Sequence, residues 1–272
     1  MSNSAPNVPQ LLQTAHDEGT LSTQSLQLLS GIRDIGAQIQ NALGVPANQV
    51  ESSEVLLVSL MPDDSGSIRM AGNSQHMRDG HNLVIEALQG SKESDSILWH
   101  TRYLNGHVLN PYCSLDRVVR MDISNFDPNL GTPLYDETVV FLGTVLTKAQ
   151  EFIDAGVAVR TISLIISDGA DCHSQKQSAN TVRMLVRDMM RQERHIVAAM
   201  GIDDGGHTDF HQVFEEMGID PKWIFSAKDT ASGLKSTASD IRQGFQLFSR
   251  SAVRASQSAA SFSQTALGGF GG

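Results

Sequence analysis

The chain has 272 residues, 40% of them hydrophobic, which suits one domain with a sizeable core and additions at its ends. Its formal net charge of -10 counts against a sequence-independent nucleic-acid binder, which needs a basic face for the phosphates, and against a polybasic membrane-surface protein. The apolar runs are too short to span a membrane, and the first ten residues lack the basic start and apolar stretch of a secretory signal, so a cytoplasmic protein with no nucleic-acid and no membrane partner is expected.

Residues 11–43 read as helical, with Leu28, Ile32, Ile35 and Ile39 at helical spacing and Gly19 separating a first short helix. Residues 44–53 carry Gly, Pro and Asn and read as a linker, so 1–50 is expected to form an N-terminal helical extension. The pattern then changes. Residues 55–61 (VLLVSLM) predict a buried strand and 76–88 a helix. Residues 96–103 and 107–115 flank Asn105-Gly106, the strongest short signal for a hairpin. A long helix over 133–155 precedes a second buried strand, 159–167. A helix over 180–194, a strand over 195–201, a helix over 210–217 and a short strand over 223–227 follow. Buried strands alternating with helices predict an α/β domain over 51–250, with a doubly wound, mostly parallel sheet and one antiparallel hairpin strand. A last helix is expected from about Thr230, with Leu234, Ala238, Ile241, Phe245, Phe248 and Ala252 in one apolar stripe, for which the sheet's flank is the simplest cover and the early Leu28-Ile32-Ile35-Ile39 stripe a candidate partner. Residues 251–272 are Ser-, Ala- and Gly-rich and read as a flexible tail.

Three clusters of oxygen-bearing side chains fall on loops next to predicted strand or helix ends: Asp63-Asp64-Ser65-Gly66-Ser67, Gly131-Thr132-Pro133 and Ser167-Asp168-Gly169. In an open α/β sheet the carboxyl ends of the strands form the rim where ligands bind, so distant segments can converge there. Hydroxyls from Ser65, Ser67 and Thr132 with carboxylates from Asp63 and Asp168 are hard donors. They suit Mg²⁺, Mn²⁺ or Ca²⁺ rather than zinc or copper. The plain alternative is that Ser65 and Ser67 cap the helix that follows.

Asp63-x-Ser65-x-Ser67, then Thr132, then Asp168, resembles the metal-ion-dependent adhesion site of von Willebrand factor A (vWA) and integrin I-type domains. All five positions stand in the family's order, and the strand–helix succession from residue 55 to about 248 fits its Rossmann-like fold. Pro62, before the first Asp, is a local departure that bends the strand exit. The resemblance implies a metal-dependent interaction module without catalysis. Ser65, Ser67 and Thr132 would ligate a divalent cation, Mg²⁺ before Mn²⁺ or Ca²⁺, with Asp63 and Asp168 acting mainly through waters. A partner's Asp or Glu would complete the coordination. Cytosolic proteins of this kind resemble adaptors that work beside AAA+ ATPases or in stress-response systems.

Other residues carry weaker chemistry. Asp203, Asp204, His207, Asp209 and His211 read as a solvated loop and helix start rather than a second metal site. Asp171, Cys172 and His173 read as rim residues that shape a partner surface, since no third group orients a thiol nucleophile. Cys113 and Cys172 match no CxxC spacing and are expected to be reduced and buried. A metal-dependent hydrolase or phosphatase is the competing function, but the second acid such a phosphatase needs two positions after its Asp is Ser65 here, and no GxSxG elbow surrounds Ser65. An extracellular adhesin is the third reading, opposed by the missing signal and disulfide pair.

Overall fold

The first strand, β1 (Glu54–Met61), is buried at seven of its eight positions, which explains its near-continuous apolar sequence. This computed structural model describes residues 7–203, 208–226, 236–257 and 268–271. Beside β1 lie β2 (Ile97–Arg102), β3 (Val108–Ser114), β4 (Ala158–Ser167), β5 (His195–Gly201) and β6 (Ile224–Ser226). Together they form one six-stranded sheet in the order β3-β2-β1-β4-β5-β6. Every pairing is parallel except β2 with β3, the Asn105-Gly106 hairpin. The fold is therefore α/β with a mostly parallel sheet, as the alternation of buried strands and helices predicts.

Two helical layers cover the sheet. On one face lies α5 (Ser74–Gln89), whose His81 meets the Trp99 ring edge-on. On the opposite face α6 (Leu134–Asp154) places Phe141 over His100, because Trp99 and His100 are successive residues of one strand. Beside α6 runs α7 (Ala179–Arg191). The short α4 (Gly66–Met70) leaves the end of β1, and α8 (Phe210–Glu216) precedes β6. The last helix, α9 (Ala238–Gln257), packs along α5; a side chain at Gly80 would collide with the Phe245 ring, so glycine is what lets the two helices close.

Residues 7–43 form three helices rather than two: α1 (Val8–Asp17), α2 (Thr23–Ser30) and α3 (Ile35–Leu43), with Asp34 in a left-handed conformation at the second break. They pack on α6 and α7, where Gly143 of α6 leaves room for Leu29 and Ile39. The early stripe thus covers the face opposite α9, and the two stripes do not cover one another. Nor is the segment after α3 a loose linker. Val45 N donates to Tyr112 O, Ala47 N donates to Glu151 Oε1, and the buried Lys148 Nζ donates to Val45 O and Glu151 Oε2. Gly44, at φ +57°, lies so close to the Tyr112 carbonyl that no side chain fits.

At the other end α9 continues to Gln257, past the point where the tail was expected to loosen. Phe270 is buried and meets the Trp223 ring edge-on at 5.4 Å, so Gly269–Gly271 is docked on the body. The expected helix start at Thr230, and Leu234, lie outside the described residues. Among the described residues no helix is long and apolar enough to cross a membrane.

Candidate functional site

The register of the central strands brings two distant carboxylates together. Met61 of β1 pairs with Ile165 of β4, so two residues beyond that pair Asp63 reaches the level of Ser167. Accordingly Asp63 Oδ2 accepts from Ser167 Oγ (3.0 Å) and from Asp168 N (3.2 Å), while Oδ1 accepts from Ser65 N (2.8 Å). Asp63 is fully buried and Asp168 nearly so. Burial pushes the Asp63 carboxyl above the usual range, and the hydrogen bonds from Ser65, Asp168 and Ser167 oppose that shift.

In front of Asp63 three oxygens form a triangle. Ser65 Oγ and Ser67 Oγ stand 2.8 Å apart, Ser67 Oγ donates to Asp168 Oδ1 at 2.8 Å, and Ser65 Oγ donates to the same oxygen at 3.4 Å. The capping alternative fails here: Ser65 is the N-cap residue of α4, yet its side chain makes no capping hydrogen bond.

Thr132 joins through its loop. Leu130 forms a parallel bridge with Ser65 and accepts from Gly66 N (2.9 Å), two residues before Thr132. Thr132 N donates to His173 Nδ1 (2.9 Å), and Thr132 O accepts from Cys172 N and His173 N (both 3.3 Å). The loop after β4 is thereby laid against the Gly131–Thr132 turn. It is anchored further by Asp136, which accepts from the amides of Gln175, Lys176 and Gln177. Asp171 accepts from Tyr135 N and Ser174 Oγ at the start of α6. The five residues singled out in the sequence thus lie on three mutually bonded loops at the carboxyl ends of β1 and β4. Ser65, Ser67, Asp168 and Asp63 are in direct contact, and Thr132 is joined through its backbone.

Other side chains take plainer roles. Asp209 caps α8, accepting from Gln212 N (3.1 Å). Asp204 and His207 lie outside the described residues. Both cysteines are free, but Cys172 is exposed rather than buried, with its Sγ 3.0 Å from His173 Nδ1, and Cys113 is half-buried. Among the described residues no three or more His, Cys, Asp or Glu side chains gather as metal ligands. The cluster at Asp63 has two carboxylates, and its remaining donors are hydroxyls. Asn105, read in the sequence only as a turn residue, donates from Nδ2 to Asp64 Oδ1 (2.9 Å) and Gly131 O (2.7 Å), contacts with residues far along the chain that the turn signal does not announce.

No family model matches the sequence, and no curated protein matches it. Among solved structures the chain is similar to the pilus adhesin SpaC from Lactobacillus rhamnosus GG, at 9% identity and a TM-score of 0.51, over 74% of this chain and 31% of the adhesin. It is also similar to proximal thread matrix protein 1 from the mussel byssus, at 12% identity and a TM-score of 0.46, over 93% of this chain and 65% of that one. The chain therefore spans about a third of the adhesin's length. At such identities the likeness to the adhesin speaks for a shared α/β fold alone.

Proposed function

We propose that this chain is a metal-dependent protein-interaction module of the vWA type, in which Asp63, Ser65, Ser67, Thr132 and Asp168 hold a divalent cation that accepts a carboxylate from a partner protein. The observation that carries the reading is the oxygen triangle of Ser65, Ser67 and Asp168, with edges of 2.8, 2.8 and 3.4 Å. Neighbouring oxygens in an octahedral Mg²⁺ shell of about 2.1 Å radius stand about 3 Å apart, so the triangle has the size of one octahedral face, which would make Asp168 a direct ligand rather than one acting through water as the resemblance implies. The donors are all oxygen, which favours Mg²⁺, with Mn²⁺ or Ca²⁺ as substitutes. A bound divalent cation supplies Lewis acidity and an exchangeable position that a partner Asp or Glu fills better than water.

The protein's own groups divide the work. Ser65 and Ser67 present neutral hydroxyls. Asp63, held by two amides and a hydroxyl, supplies charge from behind them. On a chain of net charge -10, the rim without a cation has Asp63 and Asp168 behind its hydroxyls and nothing positive in front of them, so an incoming carboxylate is repelled. A cytoplasmic adaptor for a multiprotein system, such as one built on an AAA+ ATPase, is the setting this reading favours. Extracellular attachment through the same site is the second setting; the fold likeness to a pilus adhesin is compatible with it and does not decide between the two. An enzymatic reading has less support, because Ser65 occupies the position a phosphatase needs for its second acid.

Calorimetry with Mg²⁺ and Mn²⁺ tests the site. One cation per chain is expected, with affinity lowered at least about 100-fold by Asp63→Ala or Asp168→Ala and less by Thr132→Ala. Unchanged binding in Asp63→Ala sinks the site. A partner captured from native lysate should be released by a chelator and return with excess Mg²⁺; one that stays through chelation uses another face.

A further inference from the structure

We infer that Asn105, at the tip of the β2–β3 hairpin, is a positioning residue that fixes the distance between the Asp63–Ser67 loop and the Gly131–Thr132 loop. The inference rests on the reading of those loops as a cation site. Asn105 makes three bonds across them. Its backbone N–H donates to Asp64 Oδ1 (3.0 Å), and Nδ2 donates to the same oxygen (2.9 Å) and to Gly131 O (2.7 Å). A carboxamide nitrogen carries two hydrogens in one plane, so one side chain can serve two acceptors at once. A carboxylate offers no N–H at all, and a serine hydroxyl carries a single hydrogen.

The acceptors belong to the two halves of the site. Asp64 lies between Asp63 and Ser65, and Gly131 precedes Thr132. Asp64 is 6% exposed, and burial raises its carboxyl above the usual range while the two Asn105 donors oppose the shift. The Asp64 backbone carbonyl accepts from Asn129 N (3.0 Å) and Leu130 N (3.2 Å). Asp64 is thus the node where the loops meet, and Asn105 spans it. The hairpin gives Asn105 a firm base: Tyr103 N donates to His107 O (2.8 Å), Leu104 N to Pro62 O (3.0 Å), and Gly106 takes φ +89° to close the turn. The Leu104–Pro62 bond also settles the strand exit at Pro62, so the bend there is held rather than loose.

The alternative is that Asn105 only fastens the hairpin. Two measurements on the full chain separate the roles. Mg²⁺ and Mn²⁺ affinities, read well below the melting temperature, should fall by about 10- to 100-fold in Asn105→Ala. The loss should be larger in Asn105→Asp, which keeps the shape but sets a second carboxylate against Asp64. Amide hydrogen exchange without added metal should speed up at Gly66, Asn129, Leu130 and Thr132 together, with α6 and α9 unchanged. A purely structural role would lower the melting temperature and leave the affinity within twofold. That result, or faster exchange confined to residues 103–107, overturns the inference. If the wild-type chain takes up no cation and both loops still loosen in the variants, the positioning role stands and the reading of the site falls.

Discussion

Ser59 and Asp63 are four residues apart on one stretch of chain, both fully buried, and they sit in two different kinds of polar cluster. Ser59 lies mid-strand. Its hydroxyl pairs with Tyr112 OH at 2.7 Å, the Tyr112 ring stacks on His100 at 4.9 Å, and His100 Nδ1 meets Asn110 O at 2.7 Å. Burial drives the His100 pKa down to about 3, so every member of that cluster is neutral. Asp63 lies past the strand end, beside a second carboxylate, and its bonds come from two amides and a hydroxyl. A core tolerates polar groups that satisfy one another without charge, whereas two neighbouring buried carboxylates are costly when both are ionised, a cost that protonation or a nearby positive charge offsets. The same strand therefore carries a neutral polar cluster in its middle and, at its end, the charged one on which the proposed site rests.

The largest break in that comparison is removal of residues 1–50. That deletion strips the cover from α6, leaves the buried Lys148 without the Val45 carbonyl, and uncovers Tyr112 where Gly44 and Val45 pack on it. Leu12, Leu29, Ile39 and Leu43 are each worth about 1.5–3 kcal/mol of burial, against the ordering entropy of their backbone, so a net loss of several kcal/mol is expected. Urea melts should show a lower midpoint and exposed apolar surface. A truncated chain that melts as late and as cooperatively as the full one would make the early helices an appendage.

Acid should separate the two clusters next. His81, His100 and His195 are buried, and burial lowers them from 6.5 to about 4, 3 and 3. A folded pKa below the unfolded one means that the unfolded chain binds protons first as pH falls. The stability these residues leave intact is complete above pH 6.5 and is lost as pH drops toward 4, by up to about 2 kcal/mol per residue at pH 5. Asp63, Asp64 and Glu137 are raised, chiefly by burial, so their protonation favours the folded state and opposes the loss at lower pH. The melting temperature should fall between pH 7 and 5, with His195→Gln flattening the slope. A flat profile would mean that the core histidines already titrate in the fold.

How much of this is legible in the sequence differs by element, for physical reasons. β1, β4 and β5 announce themselves because both faces are buried and the apolar run is continuous. Asn105-Gly106 announces its turn. The convergence of Asp63, Ser65, Ser67 and Asp168 is legible because they follow the ends of β1 and β4; Thr132 precedes α6 and joins them only through its loop's backbone. What an apolar stripe packs against is only partly legible: periodicity shows that a face is covered, not by what, so the sheet's flank is the natural expectation for the late stripe, and α9 does meet β1 and β4, but its packing along α5 and the seat of the early helices on α6 and α7 leave no trace in the pattern. The break at Asp34 is hidden because a single left-handed residue leaves no compositional trace. Phe270 among glycines reads as tail, since its partner Trp223 is distant in the chain.

The smallest effect gives the sharpest test of whether core and rim are independent. Ser59→Ala removes one hydroxyl and strands the Tyr112 OH in a site with no room for bulk water, at a cost of about 1–3 kcal/mol. Tyr112→Phe strands the Ser59 hydroxyl in the same way while keeping the ring that stacks on His100. In the double variant neither partner is left over, so the two losses should not add, and a coupling of about 1 kcal/mol is expected from the four melts. Cation affinity should stay within twofold of wild type in all of them, because Ser59 points into the neutral cluster under α6 and bonds to none of the rim oxygens. If Ser59→Ala weakens cation binding as strongly as it lowers the melting temperature, β1 transmits strain along its length. The mid-strand cluster would then be part of the site's support rather than a neutral patch of core.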